Sequence, residues 1–363
     1  MTIDLRPELQ RTEPDRHGGI DPSELAAWGI DPATIIDFSV NSNPYGPSPT
    51  VATALAGVTL DRYPDPEASA LRGVLAAHHA VGAEQIVAGN GSIELIWLVA
   101  LAVVRPGDRV LVVGPTFGEY RRVAGLMGGA VAEVRAAEED SFAVPVVEVT
   151  RALAAEKCRL LFLCNPNNPT GVHLPLAQIG CWAAEHPHTL FVIDEAYLEF
   201  AQKQESSQAL GRENVLVVRS LTKAYGLAGL RLGYGLGSPG MIDGLRRVRP
   251  PWSVNGFAQA GGVAALSDQS HLQRTLAATH ESQGELVEQL RAAGLPPLPT
   301  AVNYFLLPVG DGAALRRWLL LRGLLVRECA SFGLPGFVRI ATRRPEENGQ
   351  LIEALSDWKG EGQ

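Results

Sequence analysis

The sequence predicts an α/β fold in which a mostly parallel sheet lies between helices, with a smaller α+β domain beside it. From about residue 68 onward, short apolar runs alternate with helical segments, the rhythm of a parallel sheet covered on both faces. A chain of 363 residues exceeds one ordinary core, so a large domain and a smaller one are expected. Hydrophobic residues at 46% and charged residues at 19% describe a well-buried globular chain and exclude a disordered or fibrous one. The expected boundaries are an N-terminal arm over residues 1–36 packing with the small domain, a large domain over 37–255 and the small domain over 256–363.

The arm is polar and ends in a short helix through Trp28, which Asp21 or Ser23 can cap. His17-Gly18-Gly19 precedes it; a histidine there is solvated unless something brings it to a site. Residues 37–41, ending at Asn41, read as a short strand, and Ser42 to Pro49 as a rigid turn. A helix over 50–57 leads to the loop holding Tyr63, and a second follows over 67–79. The short strand over 85–88 runs into Gly89-Asn90-Gly91-Ser92 and a long apolar helix. Such a turn presents backbone N–H groups and the positive helix end to an anion, making it a candidate phosphate cradle.

The strand over 108–113 ends at a loop carrying Phe117, an aromatic placed to stack on a planar ring or to fill core. The strand over 160–164 runs into Asn165-Pro166-Asn167-Asn168-Pro169-Thr170-Gly171. Leu190 to Ile193 then deliver Asp194-Glu195-Ala196-Tyr197, and an acid after four apolar residues needs a cationic partner. The strand over 214–219 closes at Ser220-Leu221-Thr222-Lys223, before a glycine-rich turn with Arg231. Burial favours the uncharged, nucleophilic form of a lysine, so Lys223 is placed to form a Schiff base with a carbonyl cofactor. Among the four lysines, Lys157, Lys203 and Lys359 lie in polar, helical or terminal contexts. Beyond residue 255 come a helix-rich segment to about 293 and apolar runs over 303–307, 324–327 and 337–341. Arg327 and Arg339 each interrupt such a run, where a guanidinium needs an anionic partner from the protein or from a ligand.

A net charge of −8 and a pI near 5.6 argue against a general nucleic-acid or anionic-membrane surface. The four cysteines show no metal-ligand spacing, so no metal is expected. The start of the chain carries no apolar signal core, and the longest apolar run, residues 95–104, is too short to span a bilayer; a cytoplasmic protein is expected.

Asn-Pro-Thr-Gly at 168–171, Asp-Glu-Ala-Tyr at 194–197, Ser-Leu-Thr-Lys at 220–223 and Arg231 together resemble the fold-type I pyridoxal-phosphate enzymes of the class I/II aminotransferase family. The likeness runs over nearly the whole chain, and is strongest to the histidinol-phosphate aminotransferase and threonine-phosphate decarboxylase branch. It implies pyridoxal 5'-phosphate held by Lys223, with Asp194 on the pyridine nitrogen. It further implies Asn168 and Tyr197 on the ring's phenolic oxygen and Phe117 on its face. Gly91, Ser92, Ser220 and Arg231 would bind the phosphate, with Tyr63 reaching it from the second subunit of a homodimer with shared sites. His17, Asn41, Arg327 and Arg339 would bind a small phosphorylated amino-acid or amino-alcohol substrate.

His17-Gly18-Gly19, Ser-Leu-Thr-Lys and Pro-Trp-Ser-Val-Asn at 251–255 resemble the decarboxylases. On these the expected reaction is decarboxylation of L-threonine O-3-phosphate to (R)-1-aminopropan-2-yl phosphate in cobalamin biosynthesis. The turn at 43–48 and Tyr197 resemble histidinol-phosphate aminotransferases, with 2-oxoglutarate as amino acceptor, which is the alternative. A non-catalytic cofactor-binding effector module is a third reading, disfavoured because residues 1–36 are too short and acidic for a winged-helix domain.

Overall fold

The computed structural model describes residues 4–11, 18–155, 157–202 and 205–361. Among the described residues, twelve strands follow in chain order: β1 (Ile36–Asp37), β2 (Ile86–Asn90), β3 (Arg109–Gly114), β4 (Ala130–Arg135), β5 (Cys158–Cys164) and β6 (Leu190–Asp194), then β7 (Val215–Ser220), β8 (Leu232–Leu236), β9 (Tyr304–Pro308), β10 (Leu324–Leu325), β11 (Arg327–Glu328) and β12 (Phe337–Ala341). Seven form one sheet in the order β2-β8-β7-β6-β5-β3-β4. All its pairings are parallel except those of β8, which runs antiparallel to both neighbours.

The apolar runs are continuous because both faces of this sheet are buried. Leu111, Val113, Leu161, Leu163, Ile193 and Val217 point into one core. Their alternates Val110, Val112, Leu160, Phe162, Val192 and Val218 point into the other, as the two-residue period of a strand requires. Helices complete both layers, among them Gly91–Val103, Glu119–Leu126 and Leu176–Glu185.

A second, antiparallel sheet has the order β11-β12-β9, and a two-stranded parallel pair joins β1 to β10. Leu286, Leu290, Leu315, Leu351 and Phe38 pack with strands β9 and β12 in a separate core. Phe38 thus packs with the C-terminal elements: its N–H bonds Leu325 O, and its carbonyl accepts from Ala341 N–H.

Some elements differ from their sequence reading. The strand expected over 37–41 is only Ile36–Asp37; beyond it the chain follows side-chain bonds such as Asp37 Oδ1 accepting from Ser39 N–H. The run 324–327 divides between two sheets, Leu324–Leu325 pairing with β1 and Arg327–Glu328 with β12. Strands β4 and β8 carry no strong apolar signal: β4 is a half-exposed edge, and Leu-Gly-Tyr-Gly-Leu in β8 hides a buried strand among glycines. No described helix is long and apolar enough to cross a membrane.

Candidate active site

Strands β2, β3, β5, β6 and β7 end at one edge of the large sheet, and crevices beyond the carboxyl ends of parallel strands are where α/β folds bind ligands. A cavity of about 440 Å³ opens there, lined by Asn41, Phe117, Asn168, Tyr197, Lys223, Arg231, Arg327 and Arg339, with Gly18, Ser39, Ile93 and Phe332. Residues more than 290 positions apart therefore share one wall. His17 lies outside the described residues.

Asp194, the last residue of β6, is buried. Its Oδ2 accepts from the Tyr120 hydroxyl at 2.7 Å and its Oδ1 from Ala196 N–H at 3.0 Å. Burial raises its pKa above the ordinary carboxylate value, and those hydrogen bonds and Lys223 pull the other way. Lys223, three residues past β7, is partly buried, its Nζ 5.9 Å from the centre of the Tyr197 ring. Burial first, then the charges of Arg339 and Arg231, lower its pKa to about 8, against the pull of Asp194. The amine is thus poised to lose its proton near neutral pH.

Tyr197 is buried, and burial lifts its hydroxyl to about 12 although Arg339 opposes the shift. Asn41 lies near that hydroxyl without hydrogen-bond geometry, and both polar atoms of its amide are buried with no partner. Orphaned amide atoms facing a cavity are groups a ligand satisfies.

The other end of the site suits a phosphate. Gly91, at φ 76°, opens the helix Gly91–Val103, and a Cβ there would stand 2.9 Å from Arg231 Nη2. Gly233 is packed as tightly, since its Cβ would lie 2.4 Å from Ser92 N. Arg231 itself holds a left-handed φ of 57°, a conformation costing a non-glycine residue about 1–3 kcal/mol. Its guanidinium bonds Ala228 O at 3.2 Å and is otherwise exposed at the helix N-terminus. Ser220 exchanges a 2.7 Å hydrogen bond with Thr222 at the end of β7. A cationic side chain, a helix N-terminus and a glycine cradle at one end, and an amine and a carboxylate at the other, match a planar phosphorylated aldehyde.

Cross-strand pairing sets Arg327 directly opposite Arg339. Arg339 donates to Asn168 Oδ1 and, at 2.6 Å, to Ser39 O, while its buried Nε has no partner. Arg327 bonds Ser331 Oγ at 2.7 Å. Two buried guanidiniums side by side create a field that favours a doubly charged anion in the cavity.

Tyr63 is not brought to the cavity: it is 80% exposed and stacks on Trp252 with ring centres 4.6 Å apart. Two residues with no assigned role join the site. Tyr120 holds Asp194, and Tyr304 donates to Asn167 O at 2.9 Å with its ring 5.0 Å from that of Tyr197. Nothing in a local pattern marks either one, since both sit where core aromatics are ordinary. Among the described residues no cluster of side chains could hold a metal ion.

The family model "Aminotransferase class I and II" matches residues 33–355. The histidinol-phosphate aminotransferase of Symbiobacterium thermophilum is 42% identical over 335 residues, covering 90% of this chain and 91% of that protein. The crystal structure of histidinol-phosphate aminotransferase from Sinorhizobium meliloti in complex with pyridoxal-5'-phosphate superposes with a TM-score of 0.87 at 27% identity, covering 98% of each chain. L-threonine-O-3-phosphate decarboxylase from Porphyromonas gingivalis superposes with a TM-score of 0.77 at 27% identity, covering 89% of this chain and 99% of that one. The decarboxylation expected from the sequence, with its place in cobalamin biosynthesis, is corrected by these relatives: the 42% likeness is to an aminotransferase. The three decarboxylase-like stretches are short, whereas this likeness spans the chain.

Proposed function

We propose that this chain, which belongs to the class I and II aminotransferase family, is a histidinol-phosphate aminotransferase that passes the amino group to 2-oxoglutarate. Its fold is that of the fold-type I enzymes and its cofactor is pyridoxal phosphate. The observation that carries the substrate class is the Arg327–Arg339 pair facing Lys223 across one cavity, a site for an amine ending in a phosphate ester. The 42% identical relative narrows that class to histidinol phosphate.

The bound cofactor supplies an electron sink for the pair released when a substrate Cα bond breaks. Asp194 holds the proton at the pyridine nitrogen. Lys223 would hold the aldehyde carbon of the cofactor and, as a free amine, would move the Cα proton; a pKa near 8 suits one nitrogen to both take and return it. Asn168 and Tyr197 would hold the cofactor's phenolic oxygen, and Phe117 would pack on the ring. Gly91, Ser92, Ser220 and Arg231 bind the cofactor phosphate. Arg327, Arg339 and Asn41 would hold the substrate anion and so orient the substrate for loss of the Cα proton, and His17 is assigned to the same anion. Tyr63, exposed on the stack with Trp252, is assigned to the second subunit's phosphate site in a homodimer, which requires about twice 38.7 kDa in sedimentation. The small domain over 256–363, with the arm over 1–36, closes on the large domain over 37–255.

The test is to incubate purified enzyme with histidinol phosphate plus 2-oxoglutarate and, separately, with threonine phosphate. Glutamate is expected in the first mixture. Its absence, or carbon dioxide release in the second, overturns the proposal.

A further inference from the structure

Asp194 has two hydrogen-bond donors, and one of them has no role in the assignments above. Tyr120 sits in the first turn of the helix Glu119–Leu126, after the β3 loop that carries Phe117. Its side chain is fully buried and stacked on Phe162, ring centres 5.1 Å apart at 10°, with Phe117 edge-on at 5.6 Å and 82°. A phenylalanine would fill this slot equally well, so packing does not account for the hydroxyl, whose 2.7 Å bond goes to Asp194 Oδ2. A hydroxyl donating to a buried carboxylate makes a charge-assisted bond that favours the ionised form.

The remaining groups around Asp194 do little of this work. Cys164 is a buried thiol, held protonated by burial. Burial likewise keeps the Tyr197 phenol neutral. Glu195 raises the Asp194 pKa, though its own charge is met by Arg219 at 2.9 Å and by Ser206 and Ser207. Lys223 is the nearby cation, the last of the influences on Asp194, and its pKa of about 8 leaves it partly uncharged near neutral pH. The Ala196 N–H and the Tyr120 hydroxyl then hold the carboxylate in place.

We propose that Tyr120 is a positioning residue that keeps Asp194 ionised and aimed at the cofactor's pyridine nitrogen. The edge contact with Phe117 ties the same side chain to the ring that covers the cofactor face, so one residue sets both the counter-charge and the stacking wall. The inference rests on the assignment of Asp194 to that nitrogen but not on the identity of the amino substrate.

The test uses holoenzyme of wild type, Tyr120→Phe and Asp194→Ala. The cofactor dissociation constant is read by equilibrium dialysis, and the midpoint of the pH titration of the bound cofactor's visible band by absorbance. Asp194→Ala is expected to loosen the cofactor. Tyr120→Phe, which keeps the ring packing and so a near wild-type unfolding temperature, is expected to raise the dissociation constant roughly tenfold to a hundredfold and to move the band midpoint. A merely structural role would move only the unfolding temperature. If Asp194→Ala loosens the cofactor while Tyr120→Phe leaves affinity and midpoint unchanged, this inference is overturned and the Asp194 assignment stands. If neither variant loosens it, both fall. Should Tyr120→Phe not fold, 3-fluorotyrosine at position 120 keeps the packing and strengthens the donor; an unmoved band midpoint there overturns the inference equally.

Discussion

The two halves of the cavity are built in different ways. The cofactor half stands on the ends of buried parallel strands: Asp194 closes β6 between β5 and β7, Ser220 closes β7, and Gly91 follows β2. Backbone ladders hold Asp194 on both sides and Ser220 on the β8 side, while Gly91 follows the edge strand β2, which pairs with β8. The substrate half comes from the small sheet, with Arg327 on a two-residue edge strand and Arg339 mid-strand in β12 between β11 and β9, its guanidinium aimed by Asn168 Oδ1 and Ser39 O. A rigid frame suits a cofactor that stays, and exchangeable side-chain bonds suit substrates that come and go. The two halves should therefore respond separately to mutation.

The largest effect falls where the halves meet. Lys223→Ala should abolish turnover. Borohydride reduction of wild-type holoenzyme should fix the cofactor onto the single peptide containing Lys223. A label on Lys157, Lys203 or Lys359, or near-normal turnover of the variant, would remove the lysine from its role.

Next come two arginines, one from each half. If Arg327 binds the substrate phosphate as proposed, Arg327→Ala removes a charge-assisted contact of about 1.5–3 kcal/mol, so KM for histidinol phosphate should rise roughly tenfold to a hundredfold. The cofactor dissociation constant should stay put. Arg231→Ala should do the reverse, weakening cofactor retention with a smaller effect on KM once cofactor is saturating. Equal effects of both variants on both constants would show that the halves are one unit.

The same division explains what was legible in the sequence. The cofactor half announces itself because strand, turn and chemistry are contiguous: four apolar residues and then Asp194, or an apolar run and then Ser220 to Lys223. Parallel strands buried on both faces leave a continuous apolar signature, so β3, β5, β6 and β7 were readable to within about two residues. The substrate half is assembled from distant pieces. Asn41 and Arg339 line the same cavity, yet no local period relates them. Tyr120 and Tyr304 were unreadable for a further reason: their rings satisfy ordinary core packing, and only the tertiary position of each hydroxyl reveals its use. Decarboxylation was expected because short likenesses in the arm, at 220–223 and at 251–255 outweighed Tyr197 and the turn at 43–48, which agree with the aminotransferase relatives.

A pH experiment sharpens the cofactor half. Burial and two nearby arginines lower the Lys223 pKa to about 8, so the nucleophilic amine is the majority species only above that value. Covalent uptake of pyridoxal phosphate by apoenzyme should rise with pH and level off above about 8, falling about tenfold for each unit below it as the amine protonates. The linked effect on folding has the same sign. Between about 8 and the ordinary lysine value the unfolded chain binds the extra proton, so apoenzyme stability should rise with pH there. An uptake profile still climbing at pH 10 would place the amine in an ordinary solvated setting.

The smallest effect tests the seam between the halves. Tyr304 belongs to β9 of the small sheet, but its hydroxyl donates at 2.9 Å to Asn167 O in the loop after β5 of the large one. Its ring lies 5.4 Å from the Arg339 guanidinium and edge-on to Tyr197. Tyr304→Phe keeps both ring contacts and removes only the bond that crosses between sheets, a neutral hydrogen bond of about 0.5–1.5 kcal/mol. Asn167 is anchored independently: its amide donates to Pro115 O and Thr170 Oγ1 and accepts from Thr116. The loop carrying Asn168 should consequently hold its place and the cofactor dissociation constant should not change. The loss should appear on the Arg339 side, as a KM for the phosphorylated substrate raised no more than about tenfold with kcat nearly constant. A change in cofactor affinity with KM untouched would reverse this assignment and make Tyr304 part of the cofactor frame.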